Sequence, residues 1–286
     1  MKYECIREHR DRFDVSMMCR LLSVSRSGFY DWLDRPAPRR VLEDQELLVL
    51  IEQVFYEHKR RYGSFRIWKE FKARGVACGR DRIARLMKEN GLVALATPKR
   101  KPQTTDSAHE NKVAPNLLDR KFEVEELDSV WVADLTYIGT KEGWLYLSCV
   151  MDLCSRKIVG WSMRADLEAK GPLDALEMAL ANRQPKQDAI HHSDRGTQYA
   201  SNRYQSRLEE AGLSCSMSRK GNCWDNAPME SFFGRMKEEL DVSVFETRAQ
   251  ASQQVFKYIE TYYNRIRRHS GIDFLSPNDF EHEKAA

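Results

Sequence analysis

Apolar residues in the first 95 positions recur every three to four residues, the interval of amphipathic helices. After about residue 120 the pattern changes to runs of β-branched and aromatic residues. Over 16–34, Met17, Leu21 and Leu22 form one stripe that breaks at Ser23-Val24. Ser25 is placed to cap a second helix carrying Phe29, Tyr30 and Leu33, which Pro36 and Pro38 stop. Two short helices joined by a tight turn outline either a helix-turn-helix or an ordinary helical hairpin. A second helical unit begins with a helix over 43–57, followed by Arg60-Arg61-Tyr62-Gly63. A helix over 64–74 turns Ile67, Trp68 and Phe71 inward and ends at Gly75. The last, over 80–90, buries Ile83, Leu86 and Met87 and ends at Gly91.

Residues 96–120 contain Pro98, Pro102, Pro115 and the cluster Lys99-Arg100-Lys101 without an apolar period, and read as a linker. Beyond it, 130–138, 144–151 and 157–163 are strands, spaced closely enough for an antiparallel meander. A helix over 170–182, a strand near 188–192, a helix over 202–211 and a strand over 213–217 follow, then long helices over 227–240 and 247–268. In the last of these, Val255, Phe256, Ile259, Tyr262, Tyr263 and Ile266 recur at helical spacing and read as core. The expected organisation is a first helix-turn-helix at 1–40, a second helical DNA-binding unit at 41–95, the linker, and an α/β core at 121–286 with a mixed sheet and helices on its faces.

Charge sharpens this division. The 286-residue chain carries +3 overall, but residues 1–120 hold 25 Lys and Arg against 17 Asp and Glu, while residues 121–286 hold 21 against 26. A basic front joined to an acidic back suggests a polyanion-binding module attached to something else, although solvated helix faces are often basic as well. Arg80, Arg82, Arg85 and Lys88 lie on the outer side of the 80–90 helix, where they either neutralise DNA phosphates or form a solvated face. Seven scattered cysteines without a C-x-x-C pair indicate neither a disulfide framework nor structural zinc; Cys149 and Cys154 read as buried thiols. The longest aliphatic run, 47–51, is far short of a membrane span, and the N-terminus lacks a secretory h-region. The expectation is a soluble cytoplasmic protein with no membrane partner.

Three carboxylates stand out by position. Asp134 interrupts an apolar strand, Asp194 falls where a strand meets a glycine-containing turn, and Glu230 sits one turn into a helix opened by Asn226-Ala227-Pro228. Singly they read as a buried hydrogen-bonding aspartate, a turn residue and a helix-dipole partner. Together they form an oxygen-only donor set suited to Mg²⁺ or Mn²⁺, two of which support phosphoryl transfer. Lys237, two turns after Glu230 on the same face, is placed either to hold a substrate phosphate or as a surface charge. Met229, Phe232, Met236 and Leu240 face the core. Trp224 and Asn226 are candidates for shaping a DNA-end pocket, with local capping as the alternative. His192, beside Ser193-Asp194, is a candidate for orienting the metal site, with simple packing as the alternative. Arg265, Arg267, Arg268 and His269, at a helix end, suit the dipole and are possible DNA contacts.

WVADLTYI at 131–138, HHSDRGTQYAS at 191–201 and GNCWDNAPMESFFGRMKEEL at 221–240 resemble the three catalytic blocks of insertion-sequence family three transposases, relatives of retroviral integrases. Thirty-five residues separate Asp194 from Glu230 and 59 separate Asp134 from Asp194; the first spacing is typical of that family. Similar segments occur at 60–92, 116–122, 146–163 and 258–277, so the resemblance spans nearly the whole chain. It implies a ribonuclease-H-like core and a DDE triad of Asp134, Asp194 and Glu230 holding Mg²⁺ or Mn²⁺. It also implies cleavage at element ends, then strand transfer by a 3′-hydroxyl without a covalent protein–DNA intermediate. The implied partners are terminal inverted repeats, target DNA, further copies of the chain, and an upstream OrfA-type protein joined by frameshift fusion or association. A DNA-binding regulator that has lost catalysis, and a nuclease that cuts without joining, are the competing readings.

Overall fold

Side-chain oxygens open the second and third helices. Asp14 accepts a hydrogen bond from the Met17 N–H at 2.9 Å to start α2 (Val15–Leu21), and Ser25 accepts one from Gly28 at 2.9 Å to start α3 (Arg26–Leu33). With α1 (Lys2–His9) they enclose Ile6, Met18, Cys19 and Phe29. Met17 and Leu21, expected inward, are exposed, and Tyr30 is 40% exposed. Helix α2 has only two turns, and it is Met18 and Cys19 that meet Ile6 and Phe29. The computed structural model describes residues 1–36, 38–95, 113–220 and 222–286. The proline and lysine-arginine features at 98–102 lie outside these residues.

Helices α4 (Arg39–Glu57), α5 (Ser64–Ala73) and α6 (Arg80–Glu89) form the second unit around Ile51, Phe55, Tyr62, Ile67, Phe71, Ile83, Leu86 and Met87. Gly75 and Gly91 end α5 and α6 with φ of +74° and +67°, a left-handed conformation that costs glycine little. The expected linker is packed at its far end. The Leu117 and Leu118 amides donate to Ser216 Oγ at 2.9 and 3.3 Å, and Leu118 is buried. An apolar side chain there has core to cover, so 113–120 is part of the α/β body.

Five strands among the described residues form one mixed sheet, ordered β3-β2-β1-β4-β5. Strands β1 (Val130–Thr140), β2 (Gly143–Asp152) and β3 (Ile158–Arg164) make the antiparallel meander; β4 (Ile190–Ser193) and β5 (Ser214–Met217) pair in parallel on the other side of β1. Alternation along β1 divides the core. Val130, Val132 and Ile138 join one cluster with α9 (Ala227–Leu240) and α10 (Arg248–Phe256), while Trp131 and Ala133 join the other with α7 (Lys170–Asn182) and α8 (Asn202–Glu210).

The expected helix over 247–268 is not continuous. Helix α10 passes into a π-helical segment at Lys257–Tyr263, where the Asn264 N–H reaches Ile259 and the Arg267 N–H reaches Tyr262. Each i→i+5 bond rotates the following residues relative to a 3.6-residue repeat. Val255, Tyr258, Ile259 and Tyr263 are buried. Ile266, expected in the core, lies beyond the segment and is turned out to 51% exposure, whereas Phe256, also expected in the core, is 46% exposed because its neighbour Val255 takes the inward face of α10. The rotation also brings Asn264 to the edge of β3, where its amide accepts from Ile158 N–H and donates to Ile158 C=O, both at 3.0 Å. Helix α11 (Pro277–Ala285) follows and carries Glu281, which holds Arg183 at 2.8 Å and Lys157 at 2.8 Å.

Helix α7 lies directly on β3 at Gly160. A Cβ there would stand 2.1 Å from the Ala175 carbonyl oxygen and 2.7 Å from the Ala179 nitrogen, backbone atoms with no freedom to turn aside. Gly160→Ala is expected to destabilise by about 3 kcal/mol or more, the upper end of overpacking. At this chain size that lowers the melting temperature by roughly 6–12 °C. Thermal unfolding by circular dichroism measures it; a melting temperature unchanged from wild type contradicts the close approach.

Candidate active site

The register of the parallel pair brings two carboxylates together. Strands β1 and β4 pair Val130 with Ile190, Trp131 with His191 and Val132 with His192, and the pairing stops there. Asp134 and Asp194 each lie two residues past the last pair, Asp134 inside β1 and Asp194 just beyond the end of β4, where the parallel pairing of the two strands has ended. Asp134 shares the parity of Val130 and Val132, so it points to the face covered by α9. Met229, Phe232, Phe233 and Met236 fasten α9 to that face, and Glu230 projects beside them, partly exposed.

The start of α9 is tied to β1 by one side chain. Asn226 Nδ2 donates to the Ala133 carbonyl at 3.0 Å, immediately before Asp134 and four residues before Glu230. Its Oδ1 is buried without a hydrogen-bond partner, and its side chain does not cap the helix. Asp225, fully buried, accepts from the Arg219 backbone N–H and guanidinium at 2.9 Å, from Arg120 at 2.7 Å and from Asn116 at 3.1 Å. Those bonds, led by Arg219, hold its carboxyl well below the usual carboxylate range. Trp224, in the short 3-10 turn Cys223–Asn226, is 68% exposed.

Electrostatics show that the carboxylates act on one another. Burial raises the proton affinity of Asp134 well above that of a free aspartate; Asp194 and then Glu230 raise it further, while the Leu135 N–H and Lys237 oppose the shift. Lys237 is exposed on α9. Partial desolvation lowers its pKa, and Asp134 works against that. Asp134 Oδ1 accepts from Leu135 N–H at 2.8 Å and Asp194 Oδ1 from Gly196 N–H at 2.9 Å. Among the described residues no three His, Cys, Asp or Glu side chains are arranged to hold one ion. The donor set nevertheless fits a hard divalent cation in kind: it is all oxygen, and a cation would relieve the mutual repulsion that Asp134 registers.

Other candidates have different neighbours. His192 lies between Ser216 Oγ at 2.8 Å and Ser218 Oγ at 3.2 Å, joining β4 to the end of β5 rather than touching a carboxylate. Arg82 and Arg85 both grip Asp44 of α4 at 2.6 Å, Arg85 also holds Glu89 at 2.8 Å, and Arg80 pairs with Asp81 at 2.9 Å. Arg267 is buried on Glu239, and Arg268 binds Glu70 at 2.5 Å, so these two tie the chain to itself; Arg265 is exposed. Sequence reasoning missed Asp225 with its partners Arg219, six residues before it, and Arg120, which reaches it across 105 residues of chain. It also passed over Tyr199, a buried tyrosine whose hydroxyl lacks a hydrogen-bond partner and whose proton affinity Tyr204, Asp134 and Asp194 raise beyond the effect of burial.

Burial lowers the pKa of His191 to about 3 and of His192 to about 4, from an ordinary value of 6.5. Between pH 6.5 and the folded values the unfolded chain binds more protons, so stability is full above pH 6.5 and falls as pH drops. Each imidazole is expected to cost about 2 kcal/mol by pH 5. Urea unfolding at pH 7.5 and 5.0 measures the difference; equal stability at the two values contradicts the burial of both rings as neutral groups.

Known proteins match in the same layout. An integrase core domain model matches residues 125–223, a second integrase core domain model 211–277, and an HTH-like domain model 42–101. The transposase for insertion sequence element IS904 of Lactococcus lactis subsp. lactis (strain IL1403) is 46% identical over 249 residues, covering 86% of this chain and 97% of that protein. The transposase InsF for insertion sequence IS3A of Escherichia coli (strain K12) is 40% identical over 291 residues, with 100% of both chains covered. The insertion element IS600 uncharacterized 31 kDa protein of Shigella sonnei is 43% identical over 274 residues, covering 94% and 100%. Among solved structures, a simian T-cell lymphotropic virus intasome in complex with PP2A regulatory subunit B56 gamma aligns at TM-score 0.46 and 13% identity, covering 75% of this chain and 73% of that one.

Proposed function

Because the chain belongs to the IS3 family of insertion-sequence transposases, we propose that Asp134, Asp194 and Glu230 are the metal-binding triad of its DDE polynucleotidyl transferase centre. The observation that carries this reading is the raised proton affinity of Asp134 under the charges of Asp194 and Glu230, just past the point where the parallel pairing of β1 and β4 ends. Magnesium or manganese, as two ions, supplies activation of the attacking oxygen and stabilisation of the leaving oxygen in phosphoryl transfer. The protein's part is to hold the three carboxylates in place. Asn226 keeps the start of α9 against β1, and the hydrophobic face of α9 prevents Glu230 from retreating. Lys237, exposed and within electrostatic reach of Asp134, holds a backbone phosphate of the DNA end. Trp224, exposed beside the start of α9, packs on the terminal bases.

The substrates are the terminal inverted repeats of the element and target DNA, engaged by a homo-oligomer. Arg80, Arg82 and Arg85 of α6 contact phosphates, with DNA competing against Asp44 for the last two. Among the described residues no helix is long and apolar enough to cross a membrane, and the working compartment is the cytoplasm, on DNA.

Asp134→Asn, Asp194→Asn and Glu230→Gln each remove a charged ligand while keeping side-chain shape. Each is expected to abolish cleavage and strand transfer and to reduce the rise in melting temperature produced by Mn²⁺, with the circular dichroism of the wild type retained. Full activity in any one variant with Mg²⁺ present refutes the triad.

Sequence-specific binding is expected to need an upstream OrfA-type partner. Helix α3 offers Arg26 alone for base edges, and its guanidinium lies 5.8 Å from the Tyr30 ring. Specific readout normally takes several bidentate contacts worth ~1–3 kcal/mol each. Titrating the 286-residue chain against terminal-repeat and scrambled duplexes at ~150 mM salt is expected to give only weak preference. A preference of about a thousandfold or more, the scale of self-sufficient DNA readers, shows that no partner is needed.

A further inference from the structure

The C-terminal end of α9 meets the second helical unit. Like any helix, α9 ends with backbone carbonyls that lack an intrahelical donor. Asp241, at φ +53°, turns its N–H back to Glu238 at 3.1 Å, which leaves the Glu239 carbonyl to be satisfied from elsewhere. Arg61, in the turn between α4 and α5, donates from Nε to that oxygen at 2.9 Å. Its guanidinium lies 4.3 Å from the centre of the Tyr262 ring and 5.4 Å from that of Tyr258. A cation at a helix C-terminus is also favoured by the macrodipole.

The same few residues are braced on every side. Glu239 gives both carboxylate oxygens to Arg267, at 2.7–3.0 Å, and accepts from the Tyr258 hydroxyl at 3.0 Å. Next to Arg61, the Tyr62 hydroxyl accepts from the Arg268 N–H at 2.9 Å, and Arg268 in turn holds Glu70 of α5. His58 stacks on Tyr62 with ring centres 3.8 Å apart. The helical unit is therefore seated on the end of the helix that carries Glu230, nine residues upstream of the capped carbonyl.

We infer that Arg61 is a positioning residue: the HTH-like unit caps the C-terminus of α9 and thereby holds Glu230 in register with Asp134. This rests on the assignment of Glu230 to the triad. Geometry explains why arginine serves. A guanidinium can donate from Nε to the carbonyl while its Cζ stands over the Tyr262 ring, two contacts that a single ammonium point charge does not make in the same way. Docking of the DNA-binding unit and the set of the active-site helix are then one event.

The test uses Arg61→Ala and Arg61→Lys in the full chain, with two readouts. Amide hydrogen exchange over 233–241 is expected to quicken about tenfold or more in Arg61→Ala while β1 stays protected. Turnover for strand transfer is expected to fall about tenfold with KM for DNA within about twofold of wild type, and Arg61→Lys to fall between. If Arg61→Ala loses its circular dichroism signal, Arg61→Lys carries both measurements. Wild-type exchange, wild-type turnover, or a loss confined to KM overturns the inference. Glu230→Gln, run alongside, separates the two ideas. An active Glu230→Gln fails the triad, whereas the exchange data judge the cap by themselves.

Discussion

Asp134 lies within electrostatic reach of Asp194 and Glu230, and the scaffold around these carboxylates fixes where each one sits. Burial raises the proton affinity of Asp134, and the charges of Asp194 and Glu230 raise it further. Asp134 and Asp194 are immobilised by sheet register and by local bonds to the Leu135 and Gly196 amides. Glu230 has no strand to hold it and depends on the placement of α9. That helix is secured at its start by Asn226 on the Ala133 carbonyl, along one side by Met229, Phe232, Phe233 and Met236, and at its end by Glu239.

The Glu239–Arg267 pair shows how strongly that end is committed. Both side chains are nearly fully buried, at 4% and 3% exposure, and their bonds plus that of Tyr258 satisfy the carboxylate. A buried ion pair of this kind adds little net stability compared with apolar packing, but loss of either partner leaves an uncompensated charge in the core. It serves to fix one arrangement. The π-helical segment at Lys257–Tyr263 contributes to it, because its change of phase sets where Asn264 and Arg267, which follow it, reach Ile158 and Glu239.

The basic character of the first 120 residues acquires a second meaning. Arg82 and Arg85 brace α6 on α4 through Asp44, and Arg61 meets α9. From the acidic half, Arg268 reaches back to Glu70. Part of the charge that composition assigns to a polyanion thus joins the protein to itself. Charge counts describe the long-range field; they do not say which cations are paired.

Much of this protein was legible in one dimension. Strand and helix periods marked the meander, α7, α8 and α9 nearly to their ends, and Gly75 and Gly91 marked helix stops, because these signals depend on neighbours within a few residues. The spacing of Asp134, Asp194 and Glu230 pointed to one centre by resemblance, and their positions inside an apolar strand, at a strand end and in a first helical turn gave a physical reason to expect convergence. Tertiary structure decided the rest. The seven-residue α2 had no periodicity long enough to choose its face, so contact with Ile6 and Phe29 selected Met18 and Cys19 over Met17 and Leu21. Val255 took the inward face of α10 from Phe256, and the π segment turned Ile266 out of the core for contacts with β3 and α9 that no local propensity encodes. Asn226 spans 93 residues to Ala133 and Arg61 spans 178 to Glu239. A hydrogen bond depends on position in space to within a few tenths of an ångström, and only the folded chain specifies that position.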